Sequence, residues 1–150
     1  MKVYRIVDER GDGMYRSNQG RSLWSRADIG VNDGYEGGAH PPAHNDGGMV
    51  HAWPAFCDRH GIRTLLGDVP SIWDAHVHLK AHRFGFGSLQ QLRRWVYGVG
   101  WLSALHEAGG RVQVYEVPDE HVLQGTCQVT FNLKHAERVL PDLCLIDLEY

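Results

Sequence analysis

The chain has 150 residues, enough for one domain with its own core, and its 43% hydrophobic and 22% charged content is ordinary for a globular protein. A formal net charge of -3 argues against a protein that holds nucleic acid by phosphate neutralisation, and leaves room for a small ligand or a protein partner. No apolar run approaches the roughly 20 residues that span a bilayer. Met1-Lys2-Val3-Tyr4-Arg5 also lacks the apolar centre of a signal peptide, so no membrane association and a cytoplasmic location are expected.

Lys2 to Val7 is β-rich and ends at the turn formers Asp8 to Gly13. Alternation puts Val3, Arg5 and Val7 on one face and Tyr4 and Ile6 on the other, the pattern of a central strand with Arg5 as an anomalous cation. From Gly11 to Gly48 glycine, asparagine and aspartate recur without periodicity, which predicts a long glycine-rich loop. Trp24, Ile29, Val31 and Tyr35 supply apolar anchors that order it.

Pro54 to His60 reads as a short helix closed by Gly61, and Ile62 to Leu66 and Ile72 to Leu79 as short strands. Ser88 has the character of a helix cap, with Gln91 at capping-box spacing and Leu89, Leu92 and Val96 as a buried stripe. Gly98 and Gly100 break that helix, Trp101 to Leu105 resume it and Gly109 ends it. Arg111 to Val117 alternates as a strand up to Pro118, and Thr126 to Phe131 is another, with Cys127, Val129 and Phe131 on one face. After Asn132 a short helix and an apolar segment, Leu140 to Leu148, are expected to pack back. The whole predicts one α+β domain over residues 1–150, with a mixed or antiparallel sheet, a few short helices and no internal repeat.

Three chemistries have residues to support them. Asp74, His76 and His78 form an Asp-x-His-x-His run whose imidazoles share one side of a strand. It resembles the metal signature of amidohydrolases, but the barrel of that family needs more chain than this. Cys57 lies near His51 and His60, the residue types of a thiolate site, although no serine stands in a G-x-S-x-G elbow. The three cysteines are odd in number and lack CxxC spacing, so buried structural thiols are expected. Gly85, Gly87 and Ser88 open a helix whose free N–H groups suit an anion.

Taken with Arg5, this last feature gives an order of elements that resembles small ADP-ribosyltransferase-like domains. The sequence runs from Tyr4-Arg5 through Phe84-Gly85-Phe86-Gly87-Ser88 and the Val-Gln-Val-Tyr-Glu-Val strand to Gln128. The resemblance implies NAD as cofactor, held by Arg5 with Tyr15 and Arg16. Phe84, Phe86 and Ser88 would frame the nicotinamide, and Gln128 would hold the ribose. Where a transferase has glutamate this chain has Gln128, which cannot act as a base, so Glu116 is the substitute candidate. A second pattern joins Gly13-Met14-Tyr15-Arg16, His40-Pro41, Gly85 to Ser88 with Trp95, and Gly125-x-x-Gln128-x-x-Phe131. It looks like small uncharacterised proteins of bacteriophages and prophages. That resemblance implies a host-takeover or defence-blocking role, catalytic or purely steric, with a host protein as target; in the non-catalytic alternative the 11–50 loop carries the contact surface, with Trp24, Tyr35 and Trp53 as aromatic anchors.

Overall fold

A computed structural model describes residues 1–14, 21–28, 46–72 and 82–148. Strand β1 (Lys2–Val7) pairs antiparallel with β3 (Arg111–Glu116), which pairs antiparallel with β6 (Glu137–Leu143), so β3 is the middle strand of a three-stranded sheet. A second antiparallel sheet has the order β2 (His82–Gly85), β5 (Val129–Asn132), β4 (Val122–Gln124). Two hydrogen bonds join the sheets: Tyr4 N–H donates to Phe86 O at 2.8 Å and Phe86 N–H to Tyr4 O at 2.7 Å. The expected single sheet is thus two sheets, with β1 inside the array because Phe86 meets its free edge.

That junction depends on Gly85. A Cβ there would stand 2.7 Å from Tyr4 O and 2.9 Å from Val3 Cγ1, too close for any side chain. Gly85, read from sequence with Gly87 and Ser88 as opening a helix, is therefore the end of a strand that lies under another backbone.

The alternation on β1 sorts its residues between two cores. Ile6 joins Trp24, Phe86, Leu92, Trp95, Leu105, Val112 and Leu145 in the main core beneath the helices. Val3 packs on the other face with Tyr115, Val117, Val122, Val129 and Phe131. The main-core helices are α1 (Leu23–Ala27), α3 (Leu89–Trp95) and α4 (Trp101–Glu107), with the gap between the last two at Gly98 and Gly100 as expected. Trp24 sits edge-on to Trp95 and Trp101 at ring separations of 6.0 and 5.6 Å. It is a core residue and not the surface anchor expected of it; the same correction applies to Trp53, which is buried with its indole N–H donating to Pro70 O at 2.8 Å.

Helix α2 (Gly47–His60) is twice as long as the predicted Pro54–His60 helix, and Pro54 lies inside it. It covers the face of the second sheet that carries Leu123 and Phe84. Residues 62–66 form no strand, and Thr64 to Gly67 make a turn; of the predicted strand 72–79, only Ile72 is described, buried against α2. The predicted strand from Thr126 begins at Val129, because 125–128 turns back onto α2. Strands β4 and β6 were not anticipated, and the tail helix is a single 3-10 turn, Leu133–His135. Leu145 and Leu148 do pack back into the main core.

Candidate functional site

Arg5 is the cation the sequence singled out, and its surroundings are unusual. It faces Gln113 across the β1–β3 pair, and its Nη2 lies 2.8 Å from where a Cβ of Gly13 would stand, so Gly13 lets it pass. Its Nε is buried without a hydrogen-bond partner, and the guanidinium forms no ion pair among the described residues. Burial first, then the positive charge of Arg83, pull Arg5 down to about 10, while Tyr115, Asp12 and Asp8 oppose the shift.

Phe86 lies on the opposite side of β1, in the main core with its ring 5.5 Å from Trp95. Phe84 packs beside the α2 core. Ser88 caps α3 as the spacing predicted: its hydroxyl accepts from Gln91 N–H at 3.0 Å, while Gln91 Oε1 accepts from Gly87 N–H at 2.7 Å, one residue before the Ser88 N–H that a capping box engages. Glu116 is half-exposed at the end of β3, 3.5 Å from the Met1 ammonium and remote from Arg5 in the register. Tyr15 and Arg16 lie outside the described residues, as do Asp74, His76 and His78. The residues expected to share one ligand are thus divided: Arg5 on one face of β1, Phe84 and Phe86 in two separate cores, Ser88 occupied as a cap, Glu116 at a strand end.

Gln128 is buried in a turn built on Asp46, a residue that the sequence places in the long glycine-rich loop. The Asp46 carboxylate is 1% exposed and accepts from Met49 N–H at 3.1 Å, Thr126 N–H at 2.7 Å, Cys127 N–H at 3.0 Å and the Cys127 thiol at 3.3 Å. It caps α2 and holds the 125–128 turn with the same two oxygens. Burial opposes its ionisation, but the amides of Cys127, Thr126 and Met49 outweigh that and keep it below its ordinary value. Glycines permit the approach: a Cβ on Gly125 would stand 2.6 Å from Asp46 Oδ2, and one on Gly48 2.7 Å from Thr126 Oγ1. The Cys127 thiol is pushed up to about 12 by burial and then by Asp46, and Cys57 to about 11 by burial, so neither is a nucleophile at neutral pH. The thiolate reading of Cys57 is corrected accordingly.

A groove of about 300 Å³ runs beside this turn, lined by Ser88, Gln91, Arg94, Trp95, Gln124 and Cys127 among others. It holds neither Arg5 nor Gln128. Elsewhere, His121 stacks on His135 at 3.7 Å, and His60 lies 5.1 Å from His121. Among the described residues no group of three His, Cys, Asp or Glu side chains is placed to hold a metal ion.

The most exposed apolar pair was read from sequence as part of a strand. Thr64 O accepts from Gly67 N–H at 2.9 Å, Thr64 N–H donates to Asp68 O at 2.7 Å, and Gly67 takes φ +86°, which together form a tight turn. Its two central residues are Leu65 and Leu66, exposed to 107% and 90%. The stems are fixed: Ile62 N–H donates to Cys57 O at 2.9 Å, Arg63 pairs with Asp58, and Pro70 O accepts from Trp53. A Leu-Leu pair just before a glycine was the sequence signal for this turn.

The family model described as bacteriophage T4 Y00F protein matches residues 1–141. The chain belongs to that family. The resemblance to small phage proteins is therefore correct at the level of family. No curated protein and no solved structure matches the chain. Among the described residues no helix is long and apolar enough to cross a membrane.

Proposed function

We propose that this phage-family protein acts by binding a host protein, without catalysis, and that the Leu65–Leu66 turn is a principal contact. The exposure of those two leucines on a braced turn carries the reading. Centres of tight turns favour glycine and proline for their backbone angles, and asparagine, aspartate and serine for the hydrogen bonds their side chains make to the local backbone. Two leucines there gain nothing from the fold, and such a breach of a local rule is expected where function overrides stability. The turn is convex, so it suits an apolar cleft on a folded partner. Its flanking charges, Asp58, Arg59, Arg63 and Asp68, sum to zero, and of these Arg63 pairs with Asp58, which fits a contact governed by apolar burial more than by charge.

The NAD-transferase reading has weaker support, since it requires Arg5, Phe86 and Gln128 around one ligand and Arg5 and Phe86 fall on opposite faces of β1. The test of the binding reading has two stages. Host proteins retained by the immobilised wild-type chain, and not by a Leu65→Ser/Leu66→Ser chain, are identified and purified. Their affinity for both chains is then measured by calorimetry. Burying two leucines accounts for about 3–6 kcal/mol, so the double variant should bind at least about 100-fold more weakly. Its melting temperature should stay unchanged, because the side chains touch little. Equal affinity for the two chains would end the proposal.

A further inference from the structure

We propose that Arg5 forms a binding site for an oxyanion, a phosphate or carboxylate group, on the side of β1 turned away from the helices. The inference is independent of the Leu65–Leu66 contact. Its basis is an unmet donor: a guanidinium has five N–H donors and a permanent charge, and Arg5, partly exposed, keeps one of those donors buried without an acceptor. Nε has no hydrogen-bond partner, and among the described residues no ion pair includes Arg5.

The neighbouring charges do not fill that role. Asp8 accepts from the Arg10 and Asp12 amides through Oδ1 at 2.8 and 2.9 Å; its buried Oδ2 makes no hydrogen bond, lies 3.7 Å from Arg26 and forms no ion pair with Arg5. Asp12 acts on Arg5 only at a distance beyond an ion pair. Tyr115 turns its hydroxyl to Gln113 Oε1 at 2.6 Å, which also occupies the residue opposite Arg5. Arg83 adds a second positive charge close enough to disturb Arg5. Gly13 packs against Nη2, where a Cβ would stand 2.8 Å from it, so the guanidinium keeps its position on this face only because the residue is glycine. The Arg5 side chain is not sealed, since the residue keeps part of its surface in solvent. A fork of N–H donors with one open side, beside a second cation, recognises a pair of oxygens on one phosphorus or carbon.

The experiment follows the melting of the full chain in a chloride buffer while inorganic phosphate, acetate or NAD is added at constant ionic strength. Phosphate should raise the wild-type melting temperature by several degrees at about 100 times its dissociation constant. The Arg5→Met chain, which keeps length and loses the charge, should show no rise and should melt at or above the wild type in chloride. Arg5→Lys should retain a rise but need about 10-fold more phosphate, because the fork is lost. If Arg5→Met does not fold, phosphorus resonance titration of the wild type and Arg5→Lys decides by the same difference. Acetate matching phosphate identifies the ligand as a carboxylate. NAD acting at least about 10-fold below phosphate identifies a dinucleotide that carries the group. Equal shifts in wild type and Arg5→Met, or no shift with any of the three anions, would overturn the site.

Discussion

Replacing Asp46 by alanine tests the central structural claim, that one carboxylate serves as both helix cap and turn clamp. The change removes acceptors from three backbone N–H groups and one thiol, at distances of 2.7–3.3 Å. Loss of an N-cap alone costs about 1 kcal/mol. Each amide bond to a charged acceptor is worth about 1.5–3 kcal/mol, and donors left buried carry a desolvation penalty. Water can reach part of the emptied space, so the sum is discounted to about 4 kcal/mol. For a chain of this size that corresponds to a fall of roughly 8–16 °C in melting temperature. Asp46→Asn should lie between, since its amide NH2 would point a donor at one of the N–H groups. The assay is urea unfolding followed by tryptophan fluorescence, with the slope unchanged and the midpoint lowered. The pH dependence has a definite sign. A carboxylate held below its unfolded value stabilises fully above about pH 4, and that part is lost as pH falls through the lower folded value. The gap between wild type and Asp46→Ala should therefore be flat at neutral pH and narrow below about pH 3.8. A loss under about 1 kcal/mol at pH 7 would refute the hub, because the cap term alone would account for it.

Other expectations follow from single positions. Gly85→Ala should cost about 2–3 kcal/mol in the same urea assay, because Tyr4 O cannot move without breaking the bridge between the sheets. Gly61→Ala, at φ +64° with nothing within 4 Å, should cost only about 1 kcal/mol, the strain of a left-handed residue. Ellman's reagent at pH 7.5 should modify exposed Cys144 quickly and Cys57 and Cys127 only on unfolding, since both are buried or half-buried and held protonated; rapid reaction of all three would contradict the packing around Asp46. His82 is pushed down to about 4 by burial, then by His60 and Arg83, so the unfolded chain takes up a proton there that the folded chain refuses. Stability should fall as pH drops from 6.5 towards 4, and a His82→Leu chain should show a shallower fall over that window.

What could be read in the sequence was whatever a few neighbouring residues decide. The first strand, the strand from Arg111, the Ser88–Gln91 cap and the glycine break at Gly98 and Gly100 all rest on signals within one turn or one strand, and they hold within a residue or two. Arg5 also stood out as an ion in an apolar strand. Its face relative to Phe86 could not be read, because that depends on Phe86 meeting Tyr4 across more than 80 positions of chain. The same reason explains Asp46: Asn45-Asp46-Gly47-Gly48 has turn chemistry, and only the return of Thr126 and Cys127 makes it a capped helix start. Trp24 and Trp53 have the composition of contact residues and are buried by partners remote in sequence. Leu65 and Leu66 show the converse, a strand-like apolar pair that Gly67 and the pairing of Thr64 with Asp68 turn out into solvent. Local sequence determined the elements whose signals lie within a few residues; contacts between distant segments determined the remaining strands, the full length of α2 and which side chains are left buried, paired or exposed, because those depend on surfaces that exist only once the chain has folded.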